Sequence, residues 1–204
     1  MTLPFKHPFT CLIAGPTGSG KTVFTVRLIE NAPTLIEPSP ERILWCYGVY
    51  QKFFNNVKNV EFVEGLPDIE SFDGKQRTLL IIDDLMHETD QRVSKLFTQV
   101  SHHKNLSVLY LTQNLFYDSK QNRTISLNSH YLVLFKNARD ATQISHLASQ
   151  MYPGKSKFMI EAYRDATSKP FSYLLVDLKP DTEDRVRVRS NIFPGEQTCV
   201  YVPK

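Results

Sequence analysis

Eight consecutive residues, Gly15-Pro16-Thr17-Gly18-Ser19-Gly20-Lys21-Thr22, complete the pattern G-x-x-x-x-G-K-[ST] of a phosphate-binding loop. The pattern has a physical reason. Glycines at 15, 18 and 20 let the backbone curl until several N–H groups aim at one anion, and a helix beginning at Lys21 adds the positive end of its dipole. The Lys21 ammonium would bridge the β- and γ-phosphates of ATP, and the Thr22 hydroxyl would hold Mg²⁺. Pro16, Thr17 and Ser19 complete the loop and count with the glycines as nucleotide-binding positions.

A second group of reactive residues follows the apolar run Leu79-Leu80-Ile81-Ile82, which ends in Asp83-Asp84 and is similar to a Walker B element. A carboxylate at the tip of a buried strand is costly unless something pairs with it, and a metal ion beside phosphates is such a partner. Asp83 is therefore expected in the Mg²⁺ shell, directly or through water. Asp84 is expected to act as general base on the attacking water, with Glu88 in reserve. The alternative is that both aspartates only cap the start of a surface loop. Another apolar run, 106–111, finishes at Thr112-Gln113-Asn114, where an amide could bond the γ-phosphate or the attacking water. Gln113 is the catalytic candidate of the pair, against the plainer reading that strand-end amides form turns.

These residues need elements to carry them. Short apolar runs at 9–14, 43–47, 79–82, 106–111, 131–135 and 173–178 each read as a strand buried on both faces. Amphipathic segments separate them. Val93, Leu96, Phe97 and Val100 recur at helical spacing, and so do Ala141, Ile144, Leu147, Ala148 and Met151, with Asp140 placed to cap the second helix. Alternation of strands and helices predicts an α/β fold of three layers, a mainly parallel central sheet with helices on both sides. Ligands of such sheets sit at the carboxyl ends of the strands, where both motifs fall.

Composition bounds the rest. A chain of 204 residues with 41 % apolar and 22 % charged residues suits one folded unit, divided here into a P-loop ATPase domain (1–180) and a C-terminal strand and tail (181–204). The net charge of +3 does not by itself mark a nucleic-acid binder, so any DNA contact is local or multiplied by oligomerisation. The longest apolar runs are about five residues against the roughly 20 that span a bilayer, and no membrane partner is expected. Residues 1–9 lack the features of a signal peptide, and Cys11, Cys46 and Cys199 are odd in number and far apart, so an intracellular, reducing location is expected.

A phosphate loop, an intervening strand and then Asp83, followed by a strand ending in Gln113, resembles the additional-strand, ring-forming division of P-loop ATPases. The stretch Ser101-His102-His103-Lys104-Asn105-Leu106-Ser107-Val108 leading to Gln113 is similar to the corresponding region of the FtsK/HerA superfamily of DNA-pumping motors. Leu79-Leu80-Ile81-Ile82-Asp83-Asp84-Leu85-Met86, Gln113-Asn114-Leu115-Phe116, Ile125-Ser126-Leu127-Asn128-Ser129-His130-Tyr131 and Phe135-Lys136-Asn137-Ala138-Arg139-Asp140 resemble the genome-packaging ATPases of Polinton/Maverick elements and related double-stranded DNA viruses. That resemblance implies an ATP-driven double-stranded DNA translocase. It would work as a homo-oligomeric ring, hexameric or pentameric, with a capsid or portal protein as partner, at a nuclear or cytoplasmic assembly site or with the virion. Two positions depart from the family: Asp84 stands where Glu is usual, and His102 where many relatives carry Arg before His103. A trans-acting arginine is expected in such a motor, and Arg139 is the candidate, with Arg123 and Lys104 behind it.

Other features are read more plainly. His102-His103 has no third ligand at a zinc spacing. Arg185, Arg187 and Arg189 alternate with valines, which on a strand would set three guanidiniums on one face, either toward DNA or as a solvated edge. Trp45, Tyr47, Tyr50, Phe53 and Phe54 could stack a base but suit a core or subunit contact better, and 191–204 reads as a loosely attached strand. A P-loop small-molecule or nucleoside kinase is the alternative activity, though no arginine-rich lid is evident. The N-K-x-D signature of GTPases and the L-S-G-G-Q signature of ABC ATPases are both missing.

Overall fold

A computed structural model describes residues 3–83, 85, 90–100, 104–115, 120–139 and 141–203. In chain order its elements are β1 (Phe5–Lys6), β2 (Thr10–Ala14), α1 (Lys21–Glu30), the single turn α2 (Ala32–Leu35), β3 (Ile36–Glu37), β4 (Arg42–Tyr47), β5 (Glu61–Glu64), β6 (Thr78–Asp83), α3 (Asp90–Lys95) running on as a π-helical turn (Leu96–Val100), β7 (Leu106–Thr112), α4 (Lys120–Leu127), β8 (Tyr131–Phe135), α5 (Thr142–Met151), α6 (Ser156–Ala166), β9 (Tyr173–Asp177), β10 (Val188–Ser190) and β11 (Cys199–Tyr201). Nine strands form one sheet in the order β5-β4-β6-β7-β2-β8-β9-β10-β11. Strands β5 to β8 of that order are parallel, and β9, β10 and β11 are added antiparallel.

Every apolar run singled out in the sequence is a strand of this sheet, and the periodic segments at 93–100 and 141–151 are helical. Two details differ from expectation. Tyr173–Asp177 runs against its neighbour because two helices, α5 and α6, join β8 to β9 and bring the chain back to the end it left. Strand β5 was not expected, since Glu61-Phe62-Val63-Glu64 is a short, half-exposed edge strand without a continuous apolar run. Asp140, the expected cap of α5, lies outside the described residues, and the helix follows Ala141.

The buried strands divide their side chains between two cores. Leu12 and Ala14 join Leu80, Ile82, Val108 and Tyr110 against α3 to α6 on one face. Cys11 and Ile13 join Leu79, Ile81, Leu109 and Leu111 against α1 on the other, where Phe24 and Leu28 fill the helix side. This alternation is why the runs are continuously apolar, and it sandwiches the sheet between helices so that its strand tips are the part left open. The result is a mixed α/β fold with a mainly parallel sheet, consistent with a P-loop NTPase. Among the described residues no helix is long and apolar enough to cross a membrane.

Candidate nucleotide site

Strand β2 ends at Ala14 and the phosphate loop begins at once, tied to the next strand by the Gly15 N–H donating to the Thr112 carbonyl at 3.1 Å. Glycine is required at position 15: a Cβ there would stand 2.6 Å from Phe135 Cβ and 2.6 Å from Ser19 Oγ. Within the loop Ser19 N–H donates to the Pro16 carbonyl at 3.1 Å, and Gly20, at φ +112°, turns the chain into α1. No side chain caps that helix, and its first turn carries no acidic residue. The Ser19 hydroxyl oxygen is buried with no hydrogen-bond partner among the described residues. An uncapped helix start, a buried hydroxyl in want of a partner and a tightly curled glycine loop together fit an anion such as a polyphosphate.

Lys21 reaches back over the loop, its ammonium donating to the carbonyls of Gly15 and Pro16. Thr22, half-buried, follows it in the first turn of α1. On the far side of β7, Asp83 closes β6 and is only 8 % exposed. Its Cα is level with Leu111 of β7, which is level with Ile13 of β2. Two strand spacings, about 10 Å, therefore separate the Asp83 backbone from the strand that bears the loop. Gln113 is exposed one residue past β7 and lines a small cleft with Gly15, Phe135, Asn137, Gln143 and Tyr163. The Tyr163 hydroxyl braces that cleft, donating to the Phe135 carbonyl at 2.9 Å and accepting from the Asn137 N–H at 2.9 Å. Burial raises its pKa, which keeps the phenol a donor.

The structure thus brings the phosphate loop, Asp83 and Gln113 to one end of the sheet. Asp84, expected as base, and Glu88, in reserve, lie outside the described residues, as do His102 and His103. Arg139 is exposed, in the loop after β8, its N–H donating to Asn137 Oδ1 at 3.1 Å. Arg123 is exposed on α4, whereas Lys104 is 3.4 Å from Glu70, an ion pair within the same chain.

Away from the loop the structure corrects two readings and bears out a third. Arg185, Arg187 and Arg189 do not form a basic face. Arg185 is exposed beside Glu183, while Arg187 donates to the carbonyls of Asp177, Lys179 and Thr182 and to the Asp184 carboxylate. Arg189 is 2 % exposed and paired with Asp177 at 3.3 Å, on a strand that lies inside the sheet between β9 and β11. The tail is likewise packed. Phe193 sits edge-on to Phe24 of α1 with the Arg27 guanidinium 4.0 Å above its ring, and Tyr201 donates to Asp165 at 2.7 Å. Trp45, Phe53, Phe54 and Phe62 pack together as core, with Tyr50 at their rim. One residue near the loop carried no sequence signal: Phe171, in the turn that precedes β9.

No protein-family model and no curated protein matches this chain. Among solved structures it is similar to the X-ray structure of the Legionella pneumophila ATPase DotB, at 12 % identity and a TM-score of 0.38, over 80 % of this chain and 53 % of that one. The chain spans about half the length of that protein.

Proposed function

We propose that this chain is an ATPase of the additional-strand, ring-forming type that drives double-stranded DNA into a capsid. The observation that carries the reading is the place of β7, between the strand that bears the phosphate loop and the strand that ends in Asp83, with Gln113 at its tip. The sequence resemblance at 79–86, 113–116 and 125–140 supports the DNA-packaging part of it.

In this reading the loop N–H groups and Lys21 hold the β- and γ-phosphates, and the ammonium exchanges its two loop carbonyls for phosphate oxygens. Thr22 and Asp83 would hold Mg²⁺, which when bound would supply positive charge for phosphoryl transfer. Asp84 takes the proton of the attacking water, and Gln113 orients that water. Arg139, exposed on its loop, enters the site of a neighbouring subunit and offsets the charge that develops on the transferring phosphoryl group. Contacts to duplex phosphates would position DNA without reading its sequence.

Steady-state hydrolysis at rising protein concentration, with and without linear duplex DNA, tests the reading. A cooperative rise with concentration, raised further by DNA and weakened by salt, is the expected result. Activity independent of both concentration and DNA would overturn it in favour of a monomeric phosphotransferase. For Arg139, mixing Arg139→Ala with Lys21→Ala subunits should restore part of the activity that each lacks alone. Verified mixed rings without rescue would remove Arg139 from the site.

A further inference from the structure

Phe171 is held where an aromatic side chain needs a reason to be. It is 66 % exposed, and its backbone lies in the left-handed region at φ +62°, which a bulky residue rarely adopts. The turn between α6 and β9 keeps it there: Ser172 donates to the Lys169 carbonyl from its N–H at 3.3 Å and from its hydroxyl at 2.6 Å. The side chain rests on the phosphate loop. A Cβ on Gly20 would stand 3.2 Å from Phe171 Cβ and 3.3 Å from its Cδ1, so the last glycine of the loop is also what leaves room for this ring. One helical turn on from Gly20, and so on the same side of α1, Val23 is 57 % exposed. The neighbouring Phe24 and Phe135 are buried in the core, which makes the exposure of these two side chains a local feature of the helix start.

We propose that Phe171 is the stacking platform for the base of the bound nucleoside triphosphate, with Val23 as a second apolar contact. The proposal rests on residues 15–22 being a triphosphate cradle. A polyphosphate lying along that loop leaves it at the start of α1, so the ribose and base emerge beside Gly20 and Val23, over the Phe171 ring. An aromatic ring with two rotatable bonds gives contact area at small entropic cost. Every base has a π-face, so Phe171 contributes affinity without choosing among bases.

Calorimetric titration of the full chain with MgATP and, separately, with magnesium tripolyphosphate, which has neither base nor ribose, tests this. Phe171→Ala should weaken MgATP about tenfold, the lower part of the range for base–aromatic stacking, and leave tripolyphosphate within about twofold. Phe171→Trp should bind MgATP within about twofold of the unchanged protein, which separates loss of a stacking face from a misfolded turn. Equal weakening of both ligands, or undiminished MgATP binding in Phe171→Ala, overturns the proposal. So does a loss of self-association with unchanged nucleotide affinity, which would assign the patch to a subunit contact. If the unchanged protein binds neither ligand, the cradle reading fails first and this one with it; if it binds both and only the Phe171 comparison fails, the cradle stands.

Discussion

The two halves of the sheet treat polar side chains in opposite ways. In the parallel half, β6, β7 and β2 end at Asp83, Thr112 and Ala14, so Asp83, Gln113 and the phosphate loop share one open end. In the antiparallel half, Arg187 is taken up by nearby carbonyls and Arg189 pairs with the Asp177 carboxylate through one guanidinium nitrogen. Parallel strands joined through helices bring their carboxyl ends to the same side, where loops of differing chemistry meet. Antiparallel strands set side chains of neighbouring strands against each other, and Arg189, level with Leu175, reaches diagonally from β10 to Asp177 at the end of β9. Alternating arginines in a sequence are thus not a nucleic-acid face until their partners are known.

The strongest way to break this contrast is at the buried pair. Asp177→Ala would leave the Arg189 guanidinium buried without a counter-charge and should cost about 3–5 kcal/mol in urea denaturation, whereas Asp177→Leu combined with Arg189→Met should recover most of that. A loss below about 1 kcal/mol in the single variant would mean that the pair is solvated and the C-terminal strands loosely held. The corresponding change in the parallel half is Gly15→Ala. Its methyl group meets Phe135 Cβ as well as the Ser19 hydroxyl, so overpacking of about 1–3 kcal/mol is expected together with loss of MgATP binding. Full stability and full binding in that variant would show that the loop is not closed on Phe135.

The smallest expected effect concerns pH. His7 Nε2 donates to Asn105 Oδ1 at 2.9 Å, so its Nδ1 accepts from the Ser107 hydroxyl at 2.6 Å, and that oxygen accepts from the Phe9 N–H. Burial, joined by the positive charges of Arg77 and Lys179, lowers the His7 pKa from 6.5. A lowered histidine leaves stability intact above the unfolded value and removes it as pH falls below about 6.5 toward the folded one. The midpoint of urea unfolding should therefore decline from pH 7 to pH 5, and less so in His7→Gln. Identical declines in the two proteins would take His7 out of the account.

How much of this was legible in the sequence follows from the same contrast. The phosphate loop is local: glycine, lysine and threonine at fixed offsets specify a turn, a charge and a hydroxyl without reference to the rest of the chain. The central strands are legible because burial on both faces demands an unbroken apolar run, as in Leu79-Leu80-Ile81-Ile82. Strand direction was not, since a run such as Tyr173–Asp177 reads alike in either sense and only the count of intervening helices sets it. Nor were the roles of Arg187 and Arg189, which depend on acceptors as much as twelve residues away. Phe171 is beyond periodicity altogether, because what distinguishes it is its contact with Gly20 from across the sequence.

The central claim is that the polar groups at the tips of the parallel strands exist for a nucleotide, and thermal or urea unfolding with MgATP tests it most directly. A ligand at about 100 times its dissociation constant should stabilise the unchanged protein by about 2.7 kcal/mol. That gain should vanish in Lys21→Ala and persist in Arg185→Ala, whose guanidinium lies exposed in the antiparallel half. Full MgATP stabilisation of a folded Lys21→Ala protein, or none in the unchanged one, would contradict the account.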